Sequence, residues 1–434
     1  MKSIWQDNPM PHFPPLWGDI HTDVLVIGGG IAGLLCAHFL EKDGIRCAVA
    51  EAGTIAGGVT QNTTAKLTFQ HGLIYRQLLD RLGSERAGLY LEANRQALEA
   101  YRELCGSIDC DFTEEDSFLF SVSDRDRLEE ELSALIALGY PAEFAEGLPL
   151  PIDTAGAIKF PHQAQFHPLK FLSAIAEDLT VYENTPVRSL SKDGAATDHG
   201  KIYAEDMIVA THFPFWNRRG SYFLKLYQQR SYVLALENAP PLGGMYLEER
   251  ENGLSFRSHG GRLLLGGGGH RTGFPGGGWR ELEDFAHTHY PDASVLCRWA
   301  TQDCMSLDGI PYIGQYSART PTLYVATGFN KWGMTSAMAA ARILSDRISG
   351  KDNPYASLFS PSRNMLCPQL WSNAKEAVKH LLTVSPRRCT HMGCALQWNP
   401  QEHTWDCPCH GSRFAEDGKL LDGPATGGIF TKNL

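Results

Sequence analysis

The chain opens with short apolar runs on either side of a segment with helical periodicity. The apolar run DVLVI ends at Gly28. In residues 31–42 the apolar residues recur with the spacing of an α-helix, and RCAVAE is a second apolar run that ends at Glu51. Short apolar runs bounded by turn residues are typical of buried strands. The order strand, glycine turn, helix, strand therefore predicts the beginning of a parallel sheet.

The same two patterns recur further along the chain. Amphipathic periodicity predicts one or two long helices at 73–106 and single helices at 124–139 and 168–179. Apolar runs predict buried strands at 206–212 and 323–329, and strand-like runs fill 222–270. Pieces of an α/β layer thus lie at the beginning, middle and end of residues 22–350, which predicts one discontinuous domain interleaved with another.

Composition narrows the possible functions. The 434 residues carry a net charge of −10, which gives no basis for nucleic-acid binding. The N-terminal residues resemble no secretion signal, and no apolar run approaches the ~20 residues of a membrane helix. We expect a cytoplasmic protein without a membrane span.

The first chemical motif is the glycine turn between the first strand and helix. Gly28, Gly30 and Gly33 form a GxGxxG pattern, and Glu51 ends the second strand. Glycines let backbone amides approach a pyrophosphate, and an acidic residue at the second strand can bind a ribose. A purely structural glycine turn is the alternative. The other glycine run, 266–278, follows a strand but is expected to lead into more loop, which argues for a single nucleotide.

Five segments in order resemble the D-amino acid oxidase and sarcosine oxidase superfamily. They are GGVTQNTTAK (57–66), AQFHPLKFL (164–172), DMIVATH (206–212), SLDGIPYIGQ (306–315) and ATGFNKWGMTSAMAAARIL (326–344). The resemblance covers about residues 22–350 and implies FAD as the nucleotide, with substrate bound over the flavin. It implies that the FAD-contacting residues are Gly28, Gly30, Gly33, Glu51, Thr60, Thr63, Lys66, Val187, Gly328, Gly333, Met334 and Thr335.

The second motif is a cluster of cysteines and histidines near the C-terminus. Cys389 and His391 are separated by one residue, and Cys407 and His410 follow with a two-residue gap. Zinc fingers pair like ligands, whereas this Cys–His order suits a binuclear centre with both cysteines on one iron and both histidines on the other. The pattern therefore predicts a Rieske [2Fe–2S] cluster, with zinc or a degenerate site as the alternatives.

CTHMGC, CPCHGS and GPA (423–425) resemble the cluster loops and Pro loop of cytochrome bc-type Rieske proteins. That resemblance implies a disulfide between Cys394 and Cys409 and a hydrogen bond from Ser412 to a bridging sulfide. Phe414 stands where high-potential relatives have tyrosine, so one hydrogen bond to the cluster is missing. We expect a potential in the lower half of the range of about −150 to +300 mV.

The Rieske segment is short. Only about thirty residues separate Arg363 from Cys389, and they are partly helical in pattern, so the N-terminal part of a Rieske fold looks deleted. Either the flavoprotein body supports the cluster or cluster loading is impaired. The two modules together resemble bacterial FAD-dependent oxidoreductases with a C-terminal Rieske domain.

The predicted fold class is α/β, with a Rossmann-like FAD domain, an interleaved α+β mixed-sheet substrate domain and a truncated all-β Rieske domain. The predicted division gives the FAD part 22–80, 150–215 and 300–350, and gives the substrate part 81–149 and 216–299. Residues 1–21 are predicted to be an N-terminal tail, 351–382 a linker and 383–434 the Rieske domain.

The pairing of motifs predicts an oxidoreductase that oxidises a small amine or amino acid. FAD accepts two electrons, and the cluster passes them singly to an external carrier. Lys331 and Trp332, which begin the helix facing the flavin, and Arg257 are the candidate catalytic residues. Further pocket candidates are Tyr232, His259, His270 and Arg271. The alternatives are an electron-transfer module without its own substrate and a flavin oxidase with a vestigial cluster.

Overall fold

The computed structural model describes residues 2–429 and contains three sheets. The strands are β1 (Ile20–Ile27), β2 (Cys47–Ala50), β3 (Lys66–Leu67), β4 (Thr113–Ser121), β5 (Glu143–Ala145), β6 (Gly156–Gln165), β7 (Val181–Tyr182), β8 (Ser189–Ser191), β9 (Gly194–Ala196), β10 (Lys201–Val209), β11 (Leu226–Glu237), β12 (Met245–Glu248), β13 (Ser255–His259), β14 (Arg262–Arg271), β15 (Ser294–Ser306), β16 (Tyr312–Gln315), β17 (Leu323–Thr327), β18 (Gln397–Asn399), β19 (Thr404–Asp406), β20 (Arg413–Ala415) and β21 (Leu420–Asp422).

The helices fall between these strands in chain order. They are α1 (Ile31–Lys42), α2 (Ile74–Cys105), α3 (Arg125–Ala137), α4 (Pro168–Ala176), α5 (Tyr222–Lys225), α6 (Gly278–His289), α7 (Gly333–Ile348), α8 (Ala356–Phe359) and α9 (Pro368–Leu382), with short 3-10 helices at Ile4–Asp7 and Val59–Asn62. Among residues 2–429, no helix combines the length and apolar character needed to cross a membrane.

The first sheet is the predicted parallel layer. Its order is β16-β17-β10-β1-β2-β7, and β1 pairs in parallel with both β2 and β10. The inner strands are buried on both faces, as a parallel sheet covered by helices requires. Helices α1 and α7 pack together against it. The α/β class predicted from the sequence is confirmed.

The second sheet is mixed and forms the wall opposite the first. Its order is β15-β11-β14-β13-β12-β4-β6-β3, with β5 paired to β6. Strands β3 and β6 thus join this sheet, although they come from segments that the sequence-based division gave to the FAD part. The parallel pairing of β4 with β12 makes the sheet mixed.

The segment 73–106, predicted to form one or two long helices, is α2, which is bent at Gly83. The φ of +78° at this residue is open to glycine without strain. The glycine run was expected to continue into loop, but the turn after β14 leads into α6. A side chain at Gly268 would lie 2.2 Å from the carbonyl oxygen of Gly278, so glycine is required where the strand and the start of α6 meet.

Part of the predicted N-terminal tail packs against the body of the protein. Trp5 is completely buried, and its indole nitrogen donates to the carbonyl oxygen of Thr63 at 2.8 Å. The segment therefore braces the loop that precedes β3.

The third sheet belongs to a small C-terminal unit, residues 363–429. Strands β18 to β21 form an antiparallel meander of three-residue strands, and α9 packs beside it. A buried ion-pair network joins this unit to β11. Arg230 makes two hydrogen bonds with the Glu402 carboxylate, and Arg413 binds the same carboxylate at 2.7 Å. Burial opposes ionisation, but the two guanidinium groups outweigh it and lower the pKa of Glu402 to about 2.

We predict that Arg230→Met destabilises the docked C-terminal unit by about 3–5 kcal/mol, because Glu402 stays buried without one of its two guanidinium partners. Limited proteolysis should then cut residues 363–429 faster while the first sheet stays protected. The control Arg188→Met removes an exposed pair with Asp198 and should cost less than about 1 kcal/mol. Equal protease resistance in the Arg230 variant and the wild type would contradict this role.

Candidate functional site

A cavity of about 1250 Å³ lies between the first and second sheets. The carboxyl ends of β1, β2 and β10 line one side, and β11, β13, β14 and β15 line the other. The beginning of α7 closes one end. Ligands of open α/β sheets bind at the carboxyl ends of the strands, so this cavity is the expected nucleotide site.

The glycine turn forms a cradle at the N-terminus of α1. Gly28 has a φ of +110°, and a side chain there would lie 2.7 Å from the carbonyl oxygen of Ala210. A side chain at Gly33 would lie 1.9 Å from the carbonyl oxygen of Gly28, so Gly33 allows the helix to pack on the turn. A side chain at Gly30 meets only Thr60, at 3.5 Å, and otherwise enters the cavity. The three glycines therefore have three different roles.

Glu51 lies at the end of β2 and lines the cavity. Its carboxylate accepts from the backbone amides of Gly29 at 2.7 Å and Gly53 at 2.8 Å, while burial raises its pKa. This acceptor beside the glycine turn fits a ribose hydroxyl. The cavity wall also contains the predicted residues Thr60, Thr63, Lys66, Val187, Gly333, Met334 and Thr335. Gly33 and Gly328 lie behind the wall.

The start of α7 has an unusual backbone. Asn330 and Lys331 both have positive φ, at +53° and +71°, immediately before the helix. Lys331 and Trp332 line the cavity, and the Trp332 ring stacks on His71 at 4.7 Å. Strained backbone at a helix start in a cavity is typical of a ligand site.

Of the other predicted pocket residues, only Tyr232 lines the cavity. Arg257 is fully buried behind the wall, where it donates to the carbonyl oxygens of Thr64 at 2.6 Å and Ala65 at 2.8 Å. His259 packs on Trp5. His270 lies 2.9 Å from the Tyr232 hydroxyl, whereas Arg271 reaches the C-terminal unit and donates to the carbonyl oxygen of Pro408 at 3.3 Å.

Sequence reasoning missed the polar group on the second-sheet wall. Asp303 on β15 accepts from the Ser231 hydroxyl at 3.1 Å, and Lys331 donates to the Glu251 carbonyl oxygen at 2.9 Å. These residues line the cavity together with His212. They come from distant segments, and only the antiparallel register of β11 and β15 brings Ser231 near Asp303.

The four predicted cluster ligands meet at the edge of the C-terminal unit. Cys389 and Cys407 are buried, and their thiols contact each other. The rings of His391 and His410 lie 4.9 Å apart. Both Nδ1 atoms are buried without a hydrogen-bond partner, and burial lowers the pKa values to about 3 and about 4. Neutral imidazoles with free nitrogens beside two thiols are the donors that a mixed-ligand iron cluster needs.

The second cysteine pair lies beside the ligands. Cys394 and Cys409 contact each other as free thiols, and their sulfur atoms lie within 4.8 Å of that of Cys407. The structure therefore contains no disulfide here. The Ser412 hydroxyl accepts from the amide of Ala425 at 3.0 Å, which holds the Pro loop over the ligand loops.

The two sites share a wall. Residues 420–426 of the C-terminal unit line the large cavity, as do His212 and Phe213. The Phe213 ring lies 6.4 Å from the ring of His391 and 6.3 Å from that of His410. A single aromatic side chain thus borders both the cavity and the two predicted histidine ligands.

Comparison with known proteins settles the family. The sequence model of the DAO family, FAD dependent oxidoreductase, matches residues 23–347. The chain belongs to this family. A Rieske [2Fe-2S] domain model matches residues 370–432. In this DAO-family enzyme the glycine cradle and Glu51 fit FAD, and the cysteines and unpartnered imidazoles fit the [2Fe–2S] cluster. The predicted zinc alternative has no support.

One relative matches nearly the whole chain, and another matches only the segment of the predicted cluster ligands. YhfW of Bacillus subtilis (strain 168), whose name describes a Rieske 2Fe-2S iron-sulfur protein, is 35% identical over 98% of this chain and 96% of its own length. Cytochrome b6-f complex iron-sulfur subunit 3 of Nostoc sp. (strain PCC 7120) is 57% identical over 37 residues, 8% of this chain and 21% of its own.

Solved structures share the fold of the larger part. Glycine oxidase from Geobacillus kaustophilus has a TM-score of 0.67 at 22% identity, covering 79% of this chain and 99% of that one. L-proline dehydrogenase from P. horikoshii has a TM-score of 0.66 at 17% identity, covering 81% and 98%. Both support the DAO-like architecture of the two larger sheets.

We predict that Gly30→Ala weakens FAD binding by at least about tenfold without destabilising the fold, because its methyl group occupies only ligand space. The control Gly88→Ala lies in α2 with open space around it and should leave FAD binding unchanged. Flavin fluorescence titration of the apoprotein and thermal unfolding measure the two effects. If Gly30→Ala binds FAD as tightly as the wild type does, the FAD phosphates do not lie against Gly30.

We predict that Cys389→Ser lowers bound iron from two per chain to near zero, because the cluster loses one of its thiolate ligands. Cys367→Ser changes a half-buried cysteine outside the ligand set and serves as the matched control. Iron and acid-labile sulfide analysis, with electron paramagnetic resonance after reduction, gives the readout. Full iron content in Cys389→Ser protein would exclude this ligand.

Proposed function

We propose that the enzyme is a dehydrogenase that oxidises a small amine and sends the electrons through its Rieske cluster to an external acceptor protein. When bound, FAD supplies two-electron acceptance and the cluster supplies one-electron transfer. The observation that supports this proposal is the wall shared by the cavity and the predicted cluster ligands. Phe213 packs against both histidine rings and borders the cavity, so electrons can pass between the sites without a domain movement.

The charges around the cavity favour an amine over an amino acid. Among the described wall residues, Arg127, Arg188 and Arg250 are each paired with an acidic residue. Burial lowers the pKa of Lys66 to about 7 and lowers that of Lys331 as well. In this described part of the wall, no arginine is left unpaired to bind a substrate carboxylate in the bidentate geometry that such recognition uses.

Asp303 is the proposed amine-binding residue. Its carboxylate faces the cavity, and burial raises its pKa while Lys331 and His212 oppose that rise. It can receive a substrate ammonium group through a charge-assisted hydrogen bond and then take the proton at a carboxylate oxygen. Ser231 holds that carboxylate in place. The free amine left behind is the form that can release hydride.

Two further features belong to the proposal. The contact between Cys394 and Cys409 supports a disulfide that forms in the mature protein and covers the cluster. The cytoplasmic location and the external acceptor stay predictions.

Anaerobic titration tests the proposal. A panel of primary and secondary amines, matched amino acids and NADH is added to the holoprotein, and flavin absorbance is followed. We expect reduction by an amine. Reduction by NADH with no response to any amine would instead favour an electron-transfer module without its own substrate.

We predict that Asp303→Asn lowers kcat/KM for the responding amine by about tenfold or more, because a charged hydrogen bond contributes about 1.5–3 kcal/mol. FAD content should be unchanged. Glu205→Gln removes an exposed charge on β10, remote from the cavity wall, and is the control. An unchanged kcat/KM in the Asp303 variant would contradict the assigned role.

A further inference from the structure

The predicted cluster ligands face the flavoprotein body, so an external electron acceptor cannot reach them from that side. His410 is 4% exposed, and the Nε2 atom of His391 lies 2.7 Å from the amide nitrogen of Asn217. Phe213 covers both rings from the cavity side. An external partner therefore has to approach from the surface beside these ligands.

Helix α9 presents an exposed apolar stripe on that surface. Trp371, Val378 and Leu382 are 70%, 56% and 78% exposed, and their spacing places them on one face of the helix. Ala377 on another face packs against the core around Cys389. The stripe is thus about one helix diameter, roughly 10 Å, from the ligand loop.

A second exposed apolar residue lies in the ligand loop itself. Met392 follows the ligand His391 and is 40% exposed. The amide of Ala395 donates to the carbonyl oxygen of His380 at 2.9 Å, which ties this loop to α9. The ligand loop is thus bonded to the end of the helix that carries the stripe.

The surface is basic, although the chain as a whole carries −10. Segment 213–225 contains Arg218 and Arg219, both exposed, and no acidic residue. Asn217, which contacts His391, directly precedes them, and α5 contacts α9. Segment 361–400 has a single acidic residue, Glu376, which is 20% exposed and lies beside Lys379 and His380.

Basic side chains interrupt and border the apolar stripe. Lys375 lies between Trp371 and Val378, and Lys379 and Arg388 are exposed nearby. An apolar centre with a charged rim is typical of transient protein interfaces, where complementary charge sets the rate of encounter.

We propose that this surface docks a small acidic one-electron carrier protein, which takes electrons from the cluster. The proposal rests on the proposed function for the source of the electrons. Each encounter moves one electron from the reduced cluster to an oxidised metal centre of the carrier. Two carriers are therefore reduced for each hydride that the substrate loses. Two protons go to solvent, the ammonium proton taken by Asp303 and the proton carried by the hydride.

The test uses the holoprotein reduced chemically, so that it does not depend on an amine. Dithionite-reduced protein is mixed in a stopped-flow instrument with an oxidised acidic blue-copper protein, and loss of the copper absorbance is followed. A basic c-type cytochrome is the opposite-charge acceptor. We expect a faster second-order rate with the acidic carrier, and we expect that rate to fall as ionic strength rises.

Two charge-reversal variants localise the surface. One variant combines Lys375→Glu with Lys379→Glu, and the other combines Arg218→Glu with Arg219→Glu. Each variant should slow the reaction by about tenfold at low salt. The control pair Lys192→Glu and Lys201→Glu changes exposed lysines elsewhere and should have no effect. Cluster content, measured as iron per chain, should equal that of the wild type in every variant.

Other outcomes overturn the proposal. Rates insensitive to salt and to both variants, or faster reduction of the basic cytochrome, would exclude an acidic carrier at this site. If instead the wild-type protein sediments with anionic phospholipid vesicles while Trp371→Ala does not, and both proteins reduce the carrier at the same rate, the surface serves membrane binding. If the chemically reduced protein reduces the carrier but no amine ever reduces its flavin, the docking site is supported and the proposed function is wrong.

Discussion

The cluster loops depend on a surface that their own sheet is too small to provide. Strands β18 to β21 have three residues each, and a unit of this size buries little apolar area. Gln228 donates to the carbonyl oxygen of His410 at 2.7 Å, and Gln302 donates to that of Gly411 at 2.9 Å. A side chain at Gly411 would come within 2.6 Å of Gln228. Without these partners the buried carbonyl groups of the loop would be unsatisfied.

One strand of the second sheet serves both sites. On β11, Gln228, Arg230 and Tyr232 reach the C-terminal unit. Gln228 and Tyr232 also line the cavity, and Ser231, between them, reaches Asp303 on the cavity wall. Strand β11 is therefore part of the support of the cluster unit and part of the wall of the flavin cavity. The short Rieske segment is in this sense completed by the larger domain.

The sequence predicted what depends on local chemistry. The glycine turn, Glu51, the strand–helix order and the cysteine–histidine spacing are all short-range patterns, and they predicted the fold class, a dinucleotide site and the [2Fe–2S] cluster. FAD as the nucleotide was implied by the family resemblance. It could not place Arg257, because burial behind the loop before β3 depends on the packing of Trp5. It could not find Asp303, since a polar residue within a strand has no distinctive local pattern. It assigned all of α9 to a partly helical linker, because the partners of that helix lie elsewhere in the chain.

The central claim is that electrons cross between the two sites within one molecule, and the kinetic order of cluster reduction tests it most directly. The flavin of the holoprotein can be photoreduced by a laser flash, and the cluster followed by its own visible absorbance. We expect cluster reduction to be first-order, with a rate constant that is independent of protein concentration. A rate proportional to protein concentration, or a cluster that stays oxidised while the flavin is reduced, would contradict it.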